Sequence, residues 1–203
     1  NGGSIIVGSG DTGLYFDAGS DRLIPVNPAT ASGRDNAVDL GGGSERFKNL
    51  FLSGGVHLGG TDTAHKLDDY EEGNWTPRIT FGAGGNAGQS YGNQNGKYTK
   101  VGRSVHCQYR VTFSDKGSST GVVKILGLPF TTSGVNSGHY LGYLSNFVGT
   151  NIANFTQIWT LDPNSTEIHL RYVNASGNNA SITNSDFKDN SDIIANFSYQ
   201  TDS

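Results

Sequence analysis

A chain of 203 residues with 30 glycines, 34% hydrophobic residues and one cysteine has room for one large or two small domains, and its composition speaks against a helical fold. A formal net charge of −4 argues against a nucleic-acid binder, which needs a basic stripe, and no apolar run is long enough to span a membrane. With Cys107 alone, no intrachain disulfide can form, which fits folding in a reducing cytoplasm. Methionine is absent, initiator included, so the chain reads as part of a longer gene product.

Residues 1–65 read as a glycine-rich β stem. Short apolar bursts such as Ile5-Ile6-Val7, Leu14-Tyr15-Phe16 and Leu50-Phe51-Leu52 alternate with glycine clusters. Each burst is too short for an independent sheet, and the segment has no apolar stretch that could form its own core. Ordering each residue costs about 1–2 kcal/mol of backbone entropy, so other surfaces must cover these strands. Two further copies of the same chain are the simplest cover. Ser44–Leu50, with Ser44 as cap, and Leu67–Glu72 could each form one helical turn. Residues 66–74 read as a linker. Charge changes near here: residues 1–73 carry 5 basic and 11 acidic side chains, residues 74–203 carry 9 and 7.

From Trp75 the pattern becomes a two-residue alternation. In Trp75–Phe81 and Val105–Phe113 the odd positions are apolar. Ile168, Leu170 and Tyr172 share a face, as do Ile193, Ala195, Phe197 and Tyr199. Further strands are expected near 97–101, 122–128, 139–147 and 155–161. Half-buried strands at this density predict an antiparallel β-sandwich, jelly-roll-like, over residues 75–203.

Polar loops are expected at 82–96, 114–121, 131–138 and 174–185, where binding usually sits. Tyr91, Asn93 and Asn95 stand in the first of them without apolar neighbours, and amides offer the donors and acceptors that sugar hydroxyls need. His139 and Tyr140 form a second candidate pair. Trp75 and Trp159 lie on apolar faces and are expected in the core. His106 and His169 fall on polar faces. His57 and His65 are eight residues apart with no His-x-His pair, so no axial metal is expected. Asp186, Asp189 and Asp192 do not match a calcium-loop spacing. No nucleophile elbow, zinc-protease or phosphate-loop motif occurs, and no carboxylate pair stands out, so no catalytic residue and no cofactor is expected.

Four segments carry a family resemblance. Asp39-Leu40-Gly41-Gly42-Gly43-Ser44-Glu45-Arg46-Phe47-Lys48-Asn49-Leu50 through Val56 resembles the DLG…RFKNLYLSGGV segment of bacteriophage tail fibres and tail spikes. Tyr70-Glu71-Glu72-Gly73-Asn74-Trp75-Thr76-Pro77 resembles their YEEGTWTP signature. Gly96–Arg103 resembles the GkYTKIG segment that follows, and Leu126–Phe130 the GLPF turn. The end of the chain, Thr183–Tyr199, is similar too, so the resemblance covers roughly residues 37–203. It implies a homotrimer with an intertwined β stem and a distal β domain that contacts the bacterial surface. The expected partners are two further copies of the chain and a bacterial surface glycan such as lipopolysaccharide or capsule, a neutral one by the mild net charge. The expected place is the virion tail, assembled in the host cytoplasm. A polysaccharide depolymerase fragment and a pure trimerisation module are the alternatives.

Overall fold

The structure is a computed structural model that describes residues 4–83, 85, 87–135, 139–140, 143–151 and 157–202, with the backbone alone for 139–140, 143–145, 150 and 157–161. The fold is all-β, built from antiparallel strands and two short 3-10 turns. No helix among the described residues is long and apolar enough to cross a membrane. The chain separates into two units, Asn1–Ser53 and Gly54–Ser203.

The first unit is one four-stranded antiparallel sheet in chain order: β1 (Ile5–Ser9), β2 (Thr12–Asp17), β3 (Arg22–Asn27) and β4 (Ser32–Gly33). Ile5-Ile6-Val7, Leu14-Tyr15-Phe16 and Leu23-Ile24 lie in its strands, whereas Leu50-Phe51-Leu52 lies in none. Register places Ile5, Phe16 and Leu23 side by side, and Val7, Leu14 and Pro25 next to them, all on one face. That face is bare: Ile5 is 59% exposed, Val7 60% and Leu23 55%. On the other face Pro28 folds over Gly8 and Gly13, and Val26 is buried. Among the described residues of this unit, Val26 and Gly13 alone are buried. Residues 44–50, read as a possible helical turn, are exposed bends instead. An isolated turn fixes several residues for one hydrogen bond, and nothing packs on this one to offset that cost.

The second unit begins with a small hairpin, β5 (Val56–His57) against β6 (Lys66–Leu67). Its body is a sandwich of two antiparallel sheets. The front sheet has five strands, ordered β13 (Tyr143–Thr150), β17 (Phe187–Gln200), β10 (Ser104–Asp115), β9 (Ser90–Val101) and β7 (Tyr70–Trp75). The back sheet runs β12 (His139–Tyr140), β14 (Gln157–Leu161), β15 (Glu167–Val173), β11 (Val123–Leu126) and β8 (Arg78–Phe81), with β16 (Asn179–Ser181) paired to β15. The odd positions of β10 and β17 and the apolar positions of β8, β11 and β15 meet between the sheets in one core. Each large side chain buried there contributes about 1.5–3 kcal/mol. Phe81, Phe113 and Phe187 interlock at one end, with Phe81–Phe187 centroids 5.4 Å apart. Trp75, Tyr109 and Phe197 interlock at the other. Trp75 is thus a core residue as expected, whereas the Trp159 side chain lies outside the described residues.

Two expectations need correction. Leu67–Glu72 is not a helical turn, and the segment read as a linker carries β6 and most of β7, because Tyr70–Trp75 finds a strand partner in β9. Ser90–Gly96 is not loop. The twelve-residue strand β10 needs a partner along its whole length, and across the two-residue turn Gly102–Arg103 its hairpin mate β9 extends back to Ser90. Pairing overrides the weak β preference of Gly, Asn and Gln.

Candidate functional site

Alternation buries the odd residues of β10 and leaves the even ones on the outer face of the front sheet. Register then stacks the outer positions in rows across neighbouring strands. Asn74, Lys97, Gln108 and Asn196 form one row, Asn95, Arg110 and Ile194 the next, and Asn93, Thr112 and Asp192 a third. The result is a sheet face covered in amides, a few charges and few apolar groups.

Two grooves lie on this face. The first, about 380 Å³, is lined by Glu72, Asn74, Lys97, Thr99, His106 and Gln108 among others. The second, about 350 Å³, is lined by Asn95, Lys97, Gln108, Arg110, Ile194 and Asn196 among others. Lys97 and Gln108 belong to both, so the grooves meet there. Each has the size of a small-ligand cleft.

Several of these side chains are held in place. Asp192 gathers three donors: Arg110 through Nε at 3.0 Å and Nη2 at 3.1 Å, Thr112 Oγ1 at 2.6 Å and Asn146 Nδ2 at 3.0 Å. Burial works against the Asp192 charge, but Arg110, Thr112 and Asn146 outweigh it, so the carboxyl sits below its ordinary value. A carboxylate whose folded pKa is depressed adds stability above its unfolded value, about 3.9, and loses it as pH falls through the folded value. Asp192→Asn is therefore expected to cost stability at neutral pH, and the gap from the wild type should close as pH drops below about 4. Urea unfolding of both proteins between neutral pH and about pH 2 measures this; a gap that does not change with pH would contradict the assignment. His106 is held by Ser198 Oγ at 3.0 Å, and Tyr70 gives its hydroxyl to Glu72.

The sequence candidates separate. Asn93 and Asn95 stand on the outer face of β9, with the Asn95 amide donating to Asn93 Oδ1. Tyr91 does not join them. Asn93 pairs with Thr112 and Tyr91 with Phe113, so Gly92 is an extra residue that turns Tyr91 to the opposite face. There its ring stacks on Phe113 at 5.4 Å and its hydroxyl donates to the Ile79 carbonyl at 2.9 Å. Burial pushes its phenol above the ordinary value. It is a brace between the two sheets. His139 and Tyr140 form β12 on the back sheet, away from Asn93 and Asn95, and their side chains lie outside the described residues.

The three carboxylates Asp186, Asp189 and Asp192 serve separate places. Asp186 accepts from the Thr183 amide at 2.8 Å and Asp189 from the Lys116 amide at 3.0 Å. His65 bonds Asp62 at 2.5 Å in the hairpin of β5 and β6. Burial pushes the Cys107 thiol up to about 12, which leaves it protonated and unreactive. The groove residues Lys97, Gln108, Arg110 and Asn196 were not singled out from sequence, although the even positions of Ser104–Asp115 are the complement of its apolar ones.

The fold resembles that of the Dettilon tailspike protein. The likeness has a TM-score of 0.52 at 15% identity and covers 64% of this chain. It covers 24% of that protein, so the chain spans about a quarter of the tailspike's length. No protein-family model and no curated protein sequence matches the chain.

Proposed function

We propose that this chain is the host-attachment part of a bacteriophage tail fibre or tailspike. It works as a homotrimer in the virion tail and binds bacterial surface glycan without cleaving it. The observation that carries the reading is the outer face of the front sheet, where the amides of Asn74, Asn95, Gln108 and Asn196 line two adjoining grooves. Side-chain amides both donate and accept, as a ring of sugar hydroxyls requires. The fold likeness to a tailspike protein supports the setting, as does the four-segment sequence resemblance to tail fibres. The bare apolar face of β1–β3 supports the trimer, since a sheet with apolar side chains on both faces is normally covered on both.

The non-catalytic reading has its own support. Glu72 on β7 and Asp192 on β17 are the carboxylates that occupy outer-face positions of the described front-sheet strands, with β9 and β10 between them. Three strand spacings put them about 14 Å apart laterally. Glycosidic carboxylate pairs stand at roughly 5–9.5 Å.

A bacterial glycan array probed with the purified chain tests the proposal. The expected result is retention on one or more bacterial surface oligosaccharides with no saccharide released, weakened by Gln108→Ala and Asn196→Ala. A folded chain that retains none would overturn attachment by glycan, and released saccharide would replace the adhesin with a depolymerase.

A further inference from the structure

The second groove has a charge pattern that neutral sugars do not require. It is lined by two cations, Lys97 and Arg110, and by no carboxylate. Arg110 is already committed to Asp192 through two hydrogen bonds. Lys97 is exposed, and its side chain takes part in no hydrogen bond or ion pair among the described residues. One positive charge with no ion-pair partner therefore stands at the point where the two grooves meet, with Glu72 one row away in the first groove and hydrogen-bonded by Tyr70. Gln108 stands beside it in the same row of the sheet with Asn196 one strand beyond, Asn95 stands one row away, and Ile194 supplies an apolar patch.

We infer that this groove seats an acidic sugar unit of the host glycan, its carboxylate on Lys97 and its hydroxyls on Gln108, Asn196 and Asn95. The inference rests on the proposed attachment role and deepens it. A lysine ammonium is a compact charge with three donors, suited to a carboxylate oxygen. One free monocation matches one monoanion, which favours a uronate over a phosphate dianion. Ile194 offers a surface for the C–H side of the sugar ring. The expectation from net charge alone was a neutral glycan. The net charge does not describe this groove, because the acidic excess lies in residues 1–73, whereas the groove is built from β9, β10 and β17.

The test uses the intact chain and immobilised oligosaccharides that carry glucuronate, beside their carboxyl-reduced neutral counterparts. The expected result is binding to the acidic form that weakens about tenfold or more in Lys97→Gln, is kept in Lys97→Arg, and falls with added salt. Lys188→Gln, the same charge change elsewhere on β17, should leave binding unchanged. Equal binding of the acidic and reduced forms would overturn the inference and leave glycan attachment standing. So would acidic binding indifferent to Lys97→Gln, or a Lys97→Gln protein that changes its oligomeric state in place of its glycan affinity. Failure of the wild type to bind either form, while it still adsorbs to bacteria, would also overturn it. Failure to bind bacteria at all would bring down the attachment role as well.

Discussion

Gly96→Ala is expected to cost about 3 kcal/mol of stability, read as a lower urea midpoint at unchanged slope. Gly96 pairs with Trp75 across β9 and β7, and the indole lies flat over it. A Cβ at Gly96 would sit 2.4 Å from Trp75 Nε1 and 2.6 Å from Cδ1. The indole has nowhere to go. It packs edge-on against Tyr109 at 5.8 Å and Phe197 at 6.4 Å, and its N–H donates to the Gln108 carbonyl at 3.3 Å. One methyl group therefore unseats the aromatic cluster at that end of the core. Gly73 gives the internal comparison. The Tyr98 ring covers it in the same way, with its hydroxyl 2.6 Å from a Cβ built there. Tyr98 reaches out to Glu71 and is only partly buried, so its outer end can swing aside. Gly73→Ala should cost about 1 kcal/mol, clearly less than Gly96→Ala. Equal effects would mean that Trp75 is not locked as the structure has it.

The second large effect concerns Lys100, which is 3% exposed and faces the core side of β9. Its ammonium pairs with Asp69 and lies 5.1 Å from the centre of the Phe130 ring. Asp69 precedes β7, and its carbonyl accepts from the Gly102 amide at 2.7 Å, so this pair pins the start of the edge strand to the β9–β10 turn. Removing one partner of a buried pair leaves the other charge stranded. Asp69→Ala is expected to cost about 2–3 kcal/mol, toward the low side for such pairs because the Asp69 side chain is 34% exposed. Lys100→Met removes the charge and keeps the bulk, so it should cost less, and adding it to Asp69→Ala should recover part of the loss. Thermal or urea unfolding of the four proteins closes the cycle. A Lys100→Met protein weaker than Asp69→Ala would contradict a stranded-charge origin.

Much of the second unit was legible in the sequence. Val105–Phe113 and Trp75–Phe81 announced their faces by strict alternation, and the terminal strand announced itself through Ile193, Ala195, Phe197 and Tyr199. The glycine in Tyr70–Trp75 also has a plain physical reason, the Tyr98 ring that covers it. What alternation cannot show is partner choice. Leu67–Glu72 reads as a helical turn in isolation, and its second half joins a strand because β9 lies beside it. Alternation would also put Tyr91 with Asn93, and a one-residue bulge reverses it. The groove was hidden for the same reason. Lys97, Gln108 and Asn196 are far apart in sequence and become one row when β9, β10 and β17 pair in register.

Most depends on the bare face of β1–β3. Ile5, Val7, Leu14, Phe16 and Leu23 are all at least a third exposed, in a unit with almost no buried side chains of its own. An apolar face of this extent marks an interaction surface, and the proposed cover is the same sheet from two more copies. Sedimentation equilibrium of the intact chain at micromolar concentration is the direct test. The expected particle has three times the 21.5 kDa chain mass, and Phe16→Asp should dissociate it. A folded, monodisperse particle of 21.5 kDa would contradict it.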